Sequence, residues 1–348
     1  MPPVLPEGSR LRARYKIARL LDSSQLRNIY VAEDTHLRGN TWVVKQMLPV
    51  GVDISWAGSL TQRFETEARL ISTLEHPNIP KLLDFFIEDS FMYIVREYVP
   101  GRDLTAIVNE RQGVLSESES LKIGIQLSGL MSYLLRKKLS PVIFRELSLN
   151  NLILTPDGKI KLVDFGFSRL FQRETRLGPP DYSAPEQFSD EEDVDGRTLV
   201  YNVGALVYHL VSGANPGHSP FNLRPIDELN PNVSEMTCKV VARATSNEKR
   251  RRYSNLNDLK RQLQACLDSP KKTKQKPRKS SRPDRPTQPT VAVPSGPSHA
   301  TQKVLMRHLP KPDSSQAMTW LVGIFLTLVM GGSLIAIYQF FLRPQEGL

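Results

Sequence analysis

Five short motifs in this sequence combine residue types suited to holding charge. Lys45 ends the apolar run Trp42-Val43-Val44. Glu67 lies in FETEARLISTLEHPNIP, where Phe64, Ala68, Ile71 and Leu74 recur at helical spacing. Asn151 sits in FRELSLNNLIL, and Asp164-Phe165-Gly166 follows the strand-like KIKLV. Ala184-Pro185-Glu186 comes about twenty residues later. A cation, carboxylates and an amide suit a site that positions and neutralises charge more than one that works by covalent catalysis. A cysteine metal site or disulfide framework is excluded. Cys238 and Cys266 are the only two, too few for a metal-ligand set or a disulfide framework, so they read as ordinary buried thiols of a reducing compartment.

In this order and at this spacing, the motifs resemble those of the Hanks-type Ser/Thr protein kinases over residues 12–268. The wording is most similar to bacterial members, and IFRELSLNNLIL has a cyanobacterial flavour. The resemblance implies an α+β, bilobal protein-kinase fold that uses ATP and Mg²⁺. It implies that Lys45 holds the α- and β-phosphates and that Glu67 orients Lys45 through an ion pair. Asp164 and Asn151 are then the oxygen donors for Mg²⁺. Glu97, Tyr98 and Val99 form the hinge beside the adenine, Arg145 and Glu146 belong to the catalytic loop, and Glu186 pairs with Arg252 of RRRYSNL. Thr175 is a candidate phosphosite.

The sequence also departs from that family. Asp22, Ser24 and Arg27 stand where three glycines let a backbone approach phosphates without a Cβ in the way. The catalytic loop reads Phe144-Arg145-Glu146-Leu147-Ser148. Glu146 replaces the aspartate and is one methylene longer, and Ser148 replaces the lysine that neutralises the transferring group. Pro179 lacks the hydroxyl that bridges those two groups in the family. Leu199 falls where an aspartate caps the backbone of the loop, and a leucine accepts no hydrogen bond. Arg96 occupies the gatekeeper position, where it could reach a ligand phosphate, pair with Glu67 or fill the adenine pocket.

The elements needed to place these residues are legible in outline. Residues 12–100 read as a β-rich small lobe, with strands at Tyr30-Val31-Ala32, Trp42-Val43-Val44 and Met92-Tyr93-Ile94-Val95 around one helix. Residues 101–268 read as a mostly helical large lobe, interrupted by a short β-region at 151–164. Residues 1–11 form an N-terminal extension without the apolar core of a signal peptide.

Charge divides the chain as well. The formal net charge is +10. Residues 269–317 hold eleven Lys/Arg against Asp284 and Asp313, and the tail holds Arg343 and Glu346, which leaves 1–268 with 34 basic and 33 acidic residues. A near-neutral folded part argues against a nucleic-acid-binding core, which needs a basic face. The basic, Pro-rich 269–317 is expected to be a disordered linker. Residues 318–342, MTWLVGIFLTLVMGGSLIAIYQFFL, are uncharged and long enough to cross a bilayer as a transmembrane helix, with Trp320 and Tyr338 near its ends. A short tail, 343–348, follows. Lys303, Arg307 and Lys311 precede the span and only Arg343 follows it, so the positive-inside rule keeps the kinase-like domain cytoplasmic in a single-pass protein of the cell membrane. The run from Lys271 to Lys279 is a candidate contact for anionic lipid, or else a solvated linker that only sets topology.

Two functions follow from this pattern. The nucleotide half of the site survives better than the transfer half, which favours a membrane-anchored pseudokinase that signals through a protein partner. The alternative is a slow Ser/Thr kinase that uses Glu146 as its base on a protein substrate.

Overall fold

The structure is a computed structural model that describes residues 2–37, 39–47, 57–137, 147–163, 180–188 and 195–269. The chain divides into Met1–Lys276 and Pro277–Leu348, and every described residue lies in the first unit.

Alternation with period two builds the small lobe. Its strands are β1 (Arg10–Leu11), β2 (Tyr15–Ser23), β3 (Arg27–Asp34), β4 (Thr41–Met47), β5 (Leu82–Glu88) and β6 (Phe91–Glu97). They form one antiparallel sheet in the order β1-β2-β3-β4-β6-β5. Tyr15, Ile17, Tyr30, Ala32, Val44, Phe86, Tyr93 and Val95 share one face and form a compact aromatic cluster. Met47, Leu82, Met92 and Ile94 face the other way, toward Phe64, Ala68 and Ile71 of helix α1 (Ala57–Ser72). The β5–β6 connection places Asp89 and Ser90 at φ 49° and 67°. That is the positive-φ pair of a two-residue hairpin whose twist matches its strands.

The large lobe opens with a short sheet, β7 (Arg102–Asp103), β8 (Leu152–Leu154) and β9 (Ile160–Leu162). Gly101 precedes β7 at φ 149°, and a Cβ there would collide with the Leu154 carbonyl, so only glycine allows the chain to turn down onto β8. Helix α2 (Leu104–Glu110) starts at Asp103, whose carboxylate accepts from the Ala106 amide. Helix α3 (Glu117–Arg136) starts with a reciprocal capping box between Ser116 and Glu119. At the centre lies α4 (Gly196–Ser212), buried from Thr198 onward, as expected for a helix apolar on all sides. It is capped by Asp195 and ends at Gly213 in the left-handed conformation. The turn α5 (Ile226–Leu229) and the helices α6 (Glu235–Ala244) and α7 (Leu256–Asp268) complete the lobe. Helices α3, α4, α6 and α7 share one continuous core.

Among the described residues no helix is long and apolar enough to cross a membrane. The apolar stretch 318–342 and the linker before it lie outside them.

Candidate nucleotide cleft and its supports

Lys45 is placed by register. It sits in β4 opposite Ile29 of β3 and Ile94 of β6. Val44 and Gln46 on either side face the aromatic cluster, so Lys45 faces the cleft together with Met47. Glu67 lies on α1 in the stripe of Phe64, Ala68 and Ile71, half-buried at the edge of that apolar face. Lys45, Glu67, Arg96 and Asn151 all carry further interactions within the fold.

The hairpin over the cleft closes without glycine. Ser23 pairs with Asn28, and no residue from 22 to 28 has a positive φ, so the favoured hairpin turns are not available. A side chain substitutes for them. The Ser24 amide donates to the Arg27 carbonyl at 2.8 Å, while the Ser24 hydroxyl accepts from the Arg27 amide at 3.3 Å and the Leu26 amide at 3.4 Å. Arg27 also reaches Asp22 at 3.4 Å, which offsets part of that negative charge. The loop is therefore braced by side chains where the family uses bare backbone.

Behind the hairpin, buried amides tie the strands together. Asn28 donates to Gln46 Oε1 at 3.0 Å and to the carbonyls of Pro2 and Pro3 at 3.1 and 3.2 Å. Its own oxygen accepts from Ser23 Oγ at 2.7 Å. Tyr30 donates to Gln46 Oε1 at 3.0 Å and accepts from the Leu5 amide at 3.0 Å. Gln46 Nε2 in turn donates to the Tyr93 hydroxyl at 3.2 Å. Burial pushes the Tyr93 hydroxyl up to about 12, so it stays protonated in this network.

The hinge and the lobe junction are polar. Arg96 Nη1 donates to the backbone carbonyl of Glu97 at 3.2 Å. The Glu97 carboxylate accepts from the Lys81 amide at 3.2 Å and lies 3.7 Å from Lys161 of β9. Asn78, buried in the His-Pro-Asn-Ile-Pro turn, donates to the Ile160 carbonyl at 2.6 Å and to Gln126 of α3 at 3.0 Å. The Asn78 carbonyl accepts from the Leu162 amide at 2.9 Å. One turn of the small lobe thus grips β9 from both ends. The Val163 amide, next in the chain, donates to the Asn151 carbonyl at 2.9 Å. The segment that leads into Asp164 is in this way fixed against Asn151.

In the large lobe the structure brings Glu186 and Arg252 together. Two parallel bonds of 2.5 and 2.9 Å join them, both side chains are essentially unexposed, and Thr198 Oγ1 adds a third bond at 2.7 Å. Burial alone would raise the Glu186 carboxyl, but the bonds from Arg252 and Thr198 outweigh it and hold the group below the usual carboxylate range. Leu199, one residue beyond Thr198, is 1% exposed and sits in the hydrophobic core. Ser148 lines a cavity of about 490 Å³ together with Thr105, Asn150, Tyr182, His209 and Asn215. At its wall the Tyr182 hydroxyl and His209 Nδ1 share a hydrogen bond of 2.7 Å. Burial raises the tyrosine and lowers the histidine, so the pair is neutral.

The protein kinase domain family matches residues 32–283, most of the chain. The chain belongs to the protein kinase family. Its relatives are bacterial Ser/Thr kinases of the Hanks type. Serine/threonine-protein kinase PrkC of Bacillus subtilis is 26% identical over 279 residues, covering 75% of this chain and 42% of that protein. Serine/threonine-protein kinase C of Synechocystis is 27% identical over 287 residues, covering 76% of this chain and 52% of that protein. This kinase chain therefore spans only about half the length of these relatives. The crystal structure of the Mycobacterium tuberculosis PknI kinase domain superposes with a TM-score of 0.60 over 76% of this chain and 99% of that one, at 24% identity. The likeness is one of fold.

Kinases use ATP and Mg²⁺. The Asn151 amide is the kind of oxygen donor a hard divalent cation takes, and its backbone is held against Val163; Asp164, the other donor the family uses, lies outside the described residues. At the hinge the Glu97 carbonyl, where the family binds adenine, already accepts one hydrogen bond from Arg96. Arg145, Glu146, Asp164 and Thr175 lie outside the described residues, as do Phe144 and Pro179. Asn78, Gln126, Lys161 and Ser24 are supports that motif reading does not reach. Only the proline-flanked turn around Asn78 carries a local signal.

Proposed function

We propose that this kinase-family chain is a membrane-anchored signalling protein, a pseudokinase that transfers phosphate poorly and acts through a protein partner. The observation that carries the reading is Leu199. The family places there an acceptor for the catalytic-loop amides, and here the position is an alkyl group packed into the core. Three further changes act on the same machinery. Glu146 shifts its carboxylate by roughly 1 Å, a displacement that can cost about 10²-fold in rate. Ser148 removes a cation whose loss costs about 10²–10³-fold. Pro179 removes the bridging hydroxyl. Residues of one site do not act independently, so the combined loss is smaller than the product.

The anchor is the apolar stretch 318–342, with the kinase domain on the cytoplasmic side and the basic linker between them. Nucleotide and Mg²⁺ are the ligands that the family suggests, and a protein is its partner or substrate.

The decisive experiment is transfer from radiolabelled ATP with Mg²⁺ or Mn²⁺, comparing wild type with Glu146→Ala, Lys45→Met and Asp164→Asn. All four are expected at background. Robust wild-type phosphorylation that disappears in all three variants would overturn the proposal and make Glu146 the base of a slow Ser/Thr kinase.

A further inference from the structure

The edge of an adenine ring carries one donor, its 6-amino group, and beside it one acceptor, N1. The complement is a backbone carbonyl followed by a backbone amide. In this hinge those groups are the Glu97 carbonyl and the Val99 amide. The Val99 amide finds no partner among the described residues. The Glu97 amide is already engaged with the Lys81 carbonyl at 2.9 Å. The Glu97 carbonyl, the one acceptor suited to the amino group, takes its hydrogen bond from Arg96 Nη1.

The strand dictates this arrangement. Arg96 pairs with Val43 of β4 and Leu82 of β5, and it alternates with Ile94 and Met92 on the cleft face of β6. It is therefore a diagonal neighbour of Lys45, which pairs with Ile94 on the same face. The side chain is half-buried and carries a further interaction besides this bond. A carbonyl oxygen has two lone pairs, but a cation that already donates to one competes with a neutral amino group for the same oxygen. A guanidinium has donors only, so it meets the purine amino group as donor against donor. It also brings a planar group and a full charge to the hinge carbonyl.

We infer that Arg96 stands in for the 6-amino group of a purine at the hinge, so that the adenine pocket is held closed by the chain's own side chain. The inference rests on the nucleotide cleft of the proposed function and names the residue that regulates it. Of the three roles open to Arg96 in the sequence, filling the adenine pocket is the one that its bond to the Glu97 carbonyl serves directly. ATP binding is then weak because a resident group competes for the carbonyl, and not only because the glycines are missing.

The test uses the full chain in detergent micelles. Mg²⁺–ATP and the Mg²⁺ salt of purine riboside triphosphate, which differs only in lacking the 6-amino group, are titrated calorimetrically into wild type, Arg96→Met and Arg96→Thr. Wild type is expected to bind the two nucleotides equally, or neither. Each folded variant is expected to bind ATP at least tenfold more tightly than wild type. Each is also expected to prefer ATP over its analogue by roughly 3- to 10-fold, the worth of one net hydrogen bond. Melting temperatures without ligand report folding, and either variant suffices. A wild type that already shows that preference overturns the inference, as do folded variants that gain no affinity for ATP. Phosphate transfer, followed in parallel, separates the two ideas. Tighter binding with background transfer supports both. Robust transfer by wild type removes the pseudokinase reading whatever the preference ratio.

Discussion

Two carboxylates in this fold are enclosed beside a guanidinium, and each resists protonation for that reason. Asp34 accepts from Arg14 at 2.8 and 3.1 Å, from Trp42 Nε1 at 3.1 Å and from the amides of His36 and Leu37. The Arg14 bonds hold its carboxyl far below the usual range against the opposing effect of burial. Glu186 is lowered in the same sense by Arg252. A carboxylate whose folded pKa lies below its unfolded value contributes stability that is complete above the unfolded pKa, about 4, and is lost as pH falls below it. The melting temperature is therefore expected to be flat from pH 7 to about pH 5 and to fall steeply below about pH 4. Asp34→Asn should lower it at neutral pH and flatten the acid slope, and an unchanged slope in that variant would place the acid sensitivity elsewhere. The two sites differ in legibility. The sequence motifs around Glu186 and Arg252 name both partners through the kinase resemblance. Nothing local joins Arg14, Asp34 and Trp42, which meet only because β3 pairs with β2 on one side and β4 on the other.

At the scale of elements, the strand cores at Tyr30, Trp42 and Met92 and the helix through Phe64 were visible as periodicity, because each buries one face. The start of α1 at Ala57 was not, because its first turns, AGSLTQR, carry almost no apolar spacing. The polar back of the sheet was invisible for a different reason. Asn28 and Gln46 look like surface residues in a sequence, yet both are fully buried and satisfied by each other, by Tyr30 and by the carbonyls of residues 2 and 3. A buried network is costly to break at one member. Tyr30→Phe removes the acceptor of the Leu5 amide and one donor to Gln46, and is expected to destabilise the domain by about 1–3 kcal/mol in chemical denaturation. It should also make the bonds around residue 5 more sensitive to limited proteolysis. Protection equal to wild type would show that apolar packing of Leu5 alone seats the segment.

At the scale of the molecule, the charge division that marks a neutral kinase domain, a basic linker and an apolar span is read from composition, whereas the grip between the lobes is not. The Asn78 and Lys161 contacts join residues about 80 and 60 apart in sequence, and only the folded hinge makes them neighbours. The span gives a direct expectation. Full-length chain should sediment with membranes and be released only by detergent, and removal of 318–348 should move it to the supernatant. Full-length chain recovered in the supernatant without detergent would remove the anchor. The clasp on residues 2–5 has a temporal consequence. Its seat needs Asn28, Tyr30, Gln46 and, behind them, Tyr93. At about 5–20 residues per second on the ribosome, residues 2–5 wait roughly 4–20 s before the last strand of their seat has been synthesised. This segment is thus made well before the seat that holds it is complete, and for that interval a nascent-chain factor could reach it.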